Sequence, residues 1–399
     1  MASDPRCEHI SIYCVESLKF WCHLFQWLST NFITPLLRIH LFEEKTIQES
    51  PTTISQKDWE ALFQLAQQQG VLAIIWDAIC TLANEGEITP DQMPDKALKL
   101  QWALRAENIE SRYNKQKMLA EKLAGAFAES GINTYVLKGF ATSGYYPTPE
   151  HRECGDLDCF LASVTDNGEF VCRYEDGNVI AEKMGAEVER DYYKHSHINF
   201  KGLMVENHAF CTAVRGSKER KEFERHLQKL LATKPSTPID GTALRRPCAD
   251  FNALFLTAHG MGHFISEGIK LRHIIDWALL LKAEQDNIDW TEFYRWSDKM
   301  NMTRFANALT AISVKYLGLE VTNPAIQTAS PYAERILEDT LYHSEGIHNK
   351  GYTKLVRRVK LIQNRLSYIW KYHMIYQKSM LLDVARSCIA FIFEKNPRL

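Results

Sequence analysis

The sequence predicts an α+β protein, a small mixed β-sheet flanked by N- and C-terminal helical regions. Three observations carry this reading. Apolar residues recur at helical spacing over roughly the first 125 residues. Between about residues 131 and 210 the texture changes to short, alternating, β-rich runs. From about residue 217 helical spacing returns. The corresponding division is 1–125 helical, 126–235 sheet core and 236–399 helical.

Residues 20–37 (FWCHLFQWLSTNFITPLL) carry no formal charge but are interrupted by His23, Gln26, Ser29, Asn31 and Pro35. That makes a poor membrane span and a better buried or partner-facing helix, with weak membrane-surface contact as the alternative. ISQKDWEALFQLAQQQGVLAIIWDAI has helical spacing, broken at Gly70 and resumed after it. A long helix is expected from about Asp95 to Ser130, ended by Gly131. INTYVLKG, DLDCFLASV, AEVERDYY, HINF and LMVENHAF read as strands, and DGNVIAEKM as a short helix stopped by Gly185. Lys201-Gly202 between two strand-like runs predicts a hairpin. SKERKEFERHLQKLL reads as a charged helix and ATKPSTPIDGT, with two prolines and one glycine, as a linker. FNALFLTAHGMGHFISEGIKLRHIIDWALLLK and VRRVKLIQNRLSYIWKYHMIY complete the helical set.

Composition narrows the function. Hydrophobic residues at 45% and charged residues at 24% are those of a globular protein, and a net charge of −2 offers no global basic field for nucleic acid. The ten cysteines include no CxxC pair, which argues against a zinc ribbon or a thioredoxin-like site. Cys154, Cys159, Cys172 and Cys211 fall in or near apolar segments, as small hydrophobes do. The opening MASDPRCEHI lacks the pattern of a signal peptide, so a reducing cytoplasm is expected.

The chemistry concentrates in PTPEHRECGDLDCFL. Side chains alternate across a strand, so Asp156, Asp158 and Phe160 share one face, and Leu157, Cys159 and Leu161 the other. Two adjacent carboxylates repel unless positive charge sits between them, and a divalent ion, above all Mg²⁺, would supply it. The strand Val136-Leu137-Lys138 runs into Gly139 and a helix start, a turn able to face phosphate, with Lys138 adding a point charge. In LMVENHAF, Glu206 would share a face with Met204 and His208 and bring a third acid from a neighbouring strand. Together these residues fit metal-assisted phosphoryl chemistry on a nucleotide.

LKGFATSGYYPTPEHRECGDLDCFL resembles the LKG, YP.P..R and DIDLLV signature of the polymerase-β-like nucleotidyltransferase superfamily, in particular its large group of uncharacterised bacterial nucleotidyltransferases. KDWEALFQLAQQQGV, HINFKGLMVENH and LFLTAHGMGHFISEGIKLRHIIDWALLL are similar to other parts of that group, over roughly residues 40–380. The resemblance implies transfer of a nucleoside monophosphate from an NTP to a hydroxyl, with Mg²⁺ or Mn²⁺ as cofactor and release of pyrophosphate. Carried over by position, Asp156, Asp158 and Glu206 are the catalytic metal ligands. Lys138 and Gly139 form the phosphate-side turn, and Arg152 is the motif arginine. His208, on the same face as Glu206, and His263, through the similarity of its helix to that group, are further candidates for nucleotide contact. Lys138-Gly139 replaces the superfamily's usual Gly-Ser, and Cys159 stands where a branched aliphatic residue is usual. The acceptor is open among a small molecule, a protein side chain and an RNA end. A nucleotide-sensing or partner-binding module on the same fold and a metal-dependent phosphohydrolase are the competing readings.

Other features have plainer explanations. His259 and His263 share a helix face, but HGMGH lacks the glutamate of a zinc protease, so they pack or line the cleft. Arg272 and Asp276, four apart, are expected to form an intrahelical ion pair. His195, His197 and His208 crowd the hairpin, and any of them could serve as a base or contact phosphate. Ser143 has no nucleophile-elbow context. The basic C-terminal residues Arg357, Arg358, Lys360, Arg365 and Lys371 are expected on a solvated helix face, with RNA or an anionic surface as the alternative.

Overall fold

The computed structural model describes residues 32–42, 54–190, 192–342 and 368–376. It is a mixed eight-stranded sheet embedded among helices. Helices α1 (Thr34–Phe42), α2 (Gln56–Gln69) and α3 (Leu72–Glu85) come first. Ser55 starts α2 with a capping box shared with Asp58, and Gly70 ends it in the left-handed conformation. The 34-residue α4 (Lys96–Glu129) is capped by Asp95, whose Oδ1 accepts from Leu98 N at 2.7 Å. Leu98 and Trp102 at one end of α4 enter the large helical core. Ala120, Leu123 and Phe127 at the other end pack under the sheet.

Strands β1 (Asn133–Val136) and β2 (Leu157–Val164) bracket the short helix α5 (Phe140–Ser143) and a 3-10 turn over Pro149–His151. After β2 come β3 (Phe170–Cys172), α6 (Tyr174–Lys183) and β4 (Glu187–Glu189). The predicted hairpin follows as β5 (His195–Phe200) and β6 (Leu203–His208), with Lys201 and Gly202 both at positive φ. The segment expected as a linker after α7 (Lys218–Thr233) instead contains β7 (Thr237–Pro238) and the turn of a hairpin completed by β8 (Leu244–Arg246), which adds to the sheet beside β1. Its prolines are tolerated because Pro238 lies in the edge strand. The sheet order is β4-β5-β6-β2-β1-β8-β7, with β3 on the far end of β2. Pairings β2–β6 and β1–β8 are parallel and the others antiparallel.

The remaining helices are α8 (Ala249–Ser266), α9 (Leu271–Glu284), α10 (Trp290–Lys299), α11 (Thr303–Leu317), α12 (Ala333–Tyr342) and α13 (Ile369–Tyr376). They share one core with α1–α3: Leu36, Leu62, Ile75, Trp277, Ile312 and Ile336 belong to the same buried cluster. Gln69 stitches the two sequence-distant regions together, donating to Thr340 O and accepting from Leu271 N, both at 2.9 Å.

The alternation expected for β2 is visible in its packing. Leu157, Cys159 and Leu161 pack with α4 and α6, whereas Phe160 joins the large helical core on the opposite face. The described part of residues 20–37 is buried, with Phe32, Ile33, Leu36 and Leu37 in the core. Residues 20–31 lie outside the described residues, as do Arg357, Arg358, Lys360 and Arg365. Lys371, expected on a solvated face, is fully buried and ion-paired with Asp339 at 2.5 Å. Among the described residues no helix is long and apolar enough to cross a membrane.

Candidate metal and nucleotide site

The parallel pairing of β2 with β6 sets Asp158 directly beside Glu206, and Asp156 stands just before β2 begins. One carboxylate oxygen from each of Asp156, Asp158 and Glu206 lies within 4.8 Å of the other two. Asp158 is 2% exposed, while Asp156 and Glu206 reach the wall of a cleft of about 1360 Å³. That cleft runs between the sheet, the approach to α7 and the face of α8 that carries His259 and His263.

Lys138 leaves the end of β1 and places its ammonium 2.9 Å from Asp158 Oδ2 and 3.6 Å from Asp156 Oδ1. Burial works against this charge, but Asp158, Asp156 and Glu206 outweigh it and raise the Lys138 pKa. Gly139 follows at φ 62°, ψ −107°, a backbone conformation that a Cβ would strain, and it opens α5.

Behind the carboxylates, His208 is 1% exposed. Its Nδ1 faces Phe210 O at 3.1 Å, and its Nε2 faces Asp158 Oδ1 at 3.2 Å and Glu206 Oε2 at 3.4 Å. Acceptors on both nitrogens favour the imidazolium, so the pKa is raised although burial alone would lower it. Across the hairpin His195 pairs in register with His208, and its Nδ1 lies 2.9 Å from Glu206 Oε2.

These charges split the acids. Burial and the neighbouring Asp158 carboxylate raise the Asp156 pKa. Burial would raise Asp158 too, but Lys138 and His208 bring it below its ordinary value. Glu206 is likewise lowered against its burial, by His195 and His208. The chain itself therefore supplies part of the positive charge that the sequence required between the two aspartates. Even so, Asp158 Oδ2 is buried with the Lys138 ammonium, 2.9 Å away, as its one polar partner. Three converging carboxylates, balanced on one side only by a lysine on a flexible stem, fit a hard divalent ion.

The other predicted residues fall in two places. His263 lies on the cleft wall, its Nδ1 paired with Glu267 and its Nε2 3.0 Å from His259 Nε2. Arg152 is buried away from the cleft wall: its Nη2 is 2.6 Å from Asp276 Oδ2, its Nε 3.2 Å from Asp276 Oδ1, and its Nη1 donates to Glu153 O. This corrects the expected intrahelical pair, because Asp276 is taken by Arg152 and by the Tyr146 hydroxyl at 2.7 Å. Arg272 donates instead to Glu153 O at 3.3 Å. Ser143 is buried and bonded to Tyr113 and to Phe140 O, not presented as a nucleophile. His197 stands 3.8 Å from Glu206 Oε1.

Lys194 was not legible as a site residue. It lines the cleft, and burial lowers its pKa despite the nearby Asp158 and Glu206. The available signal was its position immediately before the strand whose histidines face the acids. Tyr193, with the Arg215 guanidinium 3.8 Å above its ring, forms the adjoining wall.

Residues 55–318 match the family of uncharacterised nucleotidyltransferases, and the chain belongs to that family. The matched span takes in the whole sheet, the three acids and the helix that faces them across the cleft. No curated protein and no solved structure matches the chain.

Proposed function

We propose that this protein transfers a nucleoside monophosphate from an NTP to a hydroxyl acceptor and releases pyrophosphate, as a polymerase-β-like nucleotidyltransferase. The observation that carries the reading is the convergence of Asp156, Asp158 and Glu206, with Lys138 beside them, at a cleft in a chain of this family. Mg²⁺ or Mn²⁺ held there would neutralise phosphate charge and activate the acceptor oxygen. In the transfer, the acceptor oxygen bonds to the α-phosphorus, the bond to pyrophosphate breaks, and the hydroxyl proton passes to water in the cleft.

The chain's own residues have separable tasks. Asp156 and Glu206, which reach the cleft, and the buried Asp158 would together hold the cation. Lys138, a point charge on a flexible stem, moves from the carboxylates to the incoming phosphates. Gly139 lets the backbone turn close to them. His208 holds Asp158 and Glu206 in position, and Arg152, through Asp276, fixes the segment that leads into Asp156. The cleft exceeds the roughly 300–1,000 Å³ of a typical small-molecule site, which leaves room for a triphosphate and a second substrate. His263 lines the same cleft. The acceptor is a small molecule, a protein side chain or an RNA end.

Calorimetric titration of ATP, GTP, CTP and UTP with Mg²⁺ tests this, using wild type and the Asp156→Asn/Asp158→Asn variant. Wild type is expected to bind at least one nucleotide, and the variant, still folded by circular dichroism, to bind none. Equal binding by both proteins would overturn the metal assignment, and binding by neither would remove the donor from the proposal.

A further inference from the structure

A second ligand set adjoins the three acids, and it contains nitrogen. His195 Nδ1, Glu206 Oε2 and His208 Nε2 converge, each atom within 4.8 Å of the others. We infer that these three side chains hold their own divalent transition-metal ion, of the imidazole-accepting kind represented by Zn²⁺, with Glu206 shared between this set and the carboxylate set. The inference does not depend on the transfer reaction, since it concerns occupancy by a metal alone.

Three features of the geometry support it. The first is spacing. Bonds of about 2.0–2.1 Å at tetrahedral angles separate neighbouring ligand atoms by roughly 3.3 Å. Glu206 Oε2 lies 2.9 Å from His195 Nδ1 and 3.4 Å from His208 Nε2, so small side-chain rotations suffice.

The second is a poorly satisfied nitrogen. His195 is only 8% exposed, and its Nδ1 has Glu206 Oε2, 2.9 Å away, as its one polar neighbour without the alignment of a regular hydrogen bond. A buried ring nitrogen in this state costs stability unless a further group satisfies it.

The third is the backing of His208. Metal-bound histidines present one nitrogen to the ion and donate the other N–H to a carbonyl or carboxylate, which fixes the ring. His208 Nδ1 stands 3.1 Å from Phe210 O and can donate its N–H there, so a metal would take the place of the Nε2 proton that Asp158 Oδ1, 3.2 Å away, otherwise accepts. The antiparallel register β5–β6 places His195 opposite His208 and so builds both ligands into rigid backbone. Two imidazoles and one carboxylate select Zn²⁺ and its transition-metal neighbours over Mg²⁺, which prefers oxygen.

The test is equilibrium dialysis against Zn²⁺ in a large excess of Mg²⁺, without nucleotide. Wild type is expected to retain one Zn²⁺ per chain, His195→Ala to bind it roughly tenfold or more weakly, and Asp156→Asn to bind it as wild type does. Loss of Zn²⁺ in Asp156→Asn with retention in His195→Ala would place the ion among the three acids and overturn the inference. X-ray absorption of Zn²⁺-loaded wild type needs no variant to fold. Imidazole scattering from two ligands is the expected result, and a shell of oxygens alone would overturn it. Failure of nucleotide binding in the calorimetric experiment would leave both of these readouts unchanged.

Discussion

Replacing Asp276 with alanine should be among the most damaging single changes in the protein, although the residue touches neither the acids nor the cleft. Asp276 is 3% exposed and Arg152 6%, so the charges are held away from water. The carboxylate accepts from Nη2 at 2.6 Å and Nε at 3.2 Å of Arg152, a two-point pairing, and from the Tyr146 hydroxyl at 2.7 Å. Without it the buried guanidinium keeps only Glu153 O and the Cys154 sulfur as partners, and Tyr146 loses its acceptor. Breaking a buried pair by removing one member costs about 3–5 kcal/mol. The orphaned hydroxyl would add about 1–3 kcal/mol if the two losses were independent. Because they share one carboxylate, about 4 kcal/mol in total is the expected loss, a large part of a typical stability of about 5–15 kcal/mol. Removing both charges is different. Arg152→Met with Asp276→Leu leaves no uncompensated ion and should lie within about 2 kcal/mol of wild type. Urea unfolding followed by tryptophan fluorescence, with slopes compared between variants, reads both numbers. A single variant within 1 kcal/mol of wild type, or a double variant less stable than the single, would refute the assignment of Arg152 as the anchor between the sheet and α9.

Two further predictions concern other parts of the fold. Gly177 lies inside α6, where alanine normally gains about 1 kcal/mol, but here its Cβ would come 2.1 Å from Leu161 Cδ1 in a fully buried contact. Overpacking of about 1–3 kcal/mol should reverse the sign, so a Gly177→Ala variant more stable to denaturant than wild type would contradict the packing described. His151 bonds through both ring nitrogens to Asp77 and Glu110, with His40 also beside Asp77. Burial alone would lower its pKa, but the two carboxylate bonds raise it. A raised histidine pKa stabilises fully below the unfolded value of about 6.5 and loses that contribution as pH climbs through the folded value. The stability advantage of wild type over His151→Gln should therefore be largest near pH 6 and shrink toward alkaline pH. A gap that widens as pH rises would refute it.

Much of this architecture was legible because each signal had a local cause. Gly70, Gly131 and Gly185 ended helices where only a residue free of Cβ strain fits, and Lys201-Gly202 turned the hairpin as such pairs do. The period-2 pattern placed Asp156 and Asp158 on one face and Glu206 with His208 on another strand. What remained hidden depends on contacts between distant parts of the chain. Nothing near Arg272 signals that Asp276 is claimed by Arg152, 124 residues earlier. ATKPSTPIDGT has a linker's composition because a two-residue edge strand demands little of its sequence. The burial of Lys371 follows from Asp339, a partner that spacing along one helix could not reveal.

The site also shows why register matters more here than the identity of any single acid. Asp158 meets Glu206 only because β2 pairs parallel with β6 in that register, and His195 meets His208 only because β5 returns antiparallel beside it. A slip of one residue in either pairing would turn the affected strand's polar side chains into the opposite core, where Cys159 and Val205 now sit among apolar residues. That cost protects the alignment. The buried Asn207, on the other face of β6, adds to it by donating to Tyr174 O and to Asn178 Oδ1, both at 2.9 Å. Those bonds tie β6 to α6 at the residue between Glu206 and His208. The same strand thus presents Glu206 to the cleft and secures itself from behind, so the carboxylates can be held close together without the sheet yielding to their repulsion.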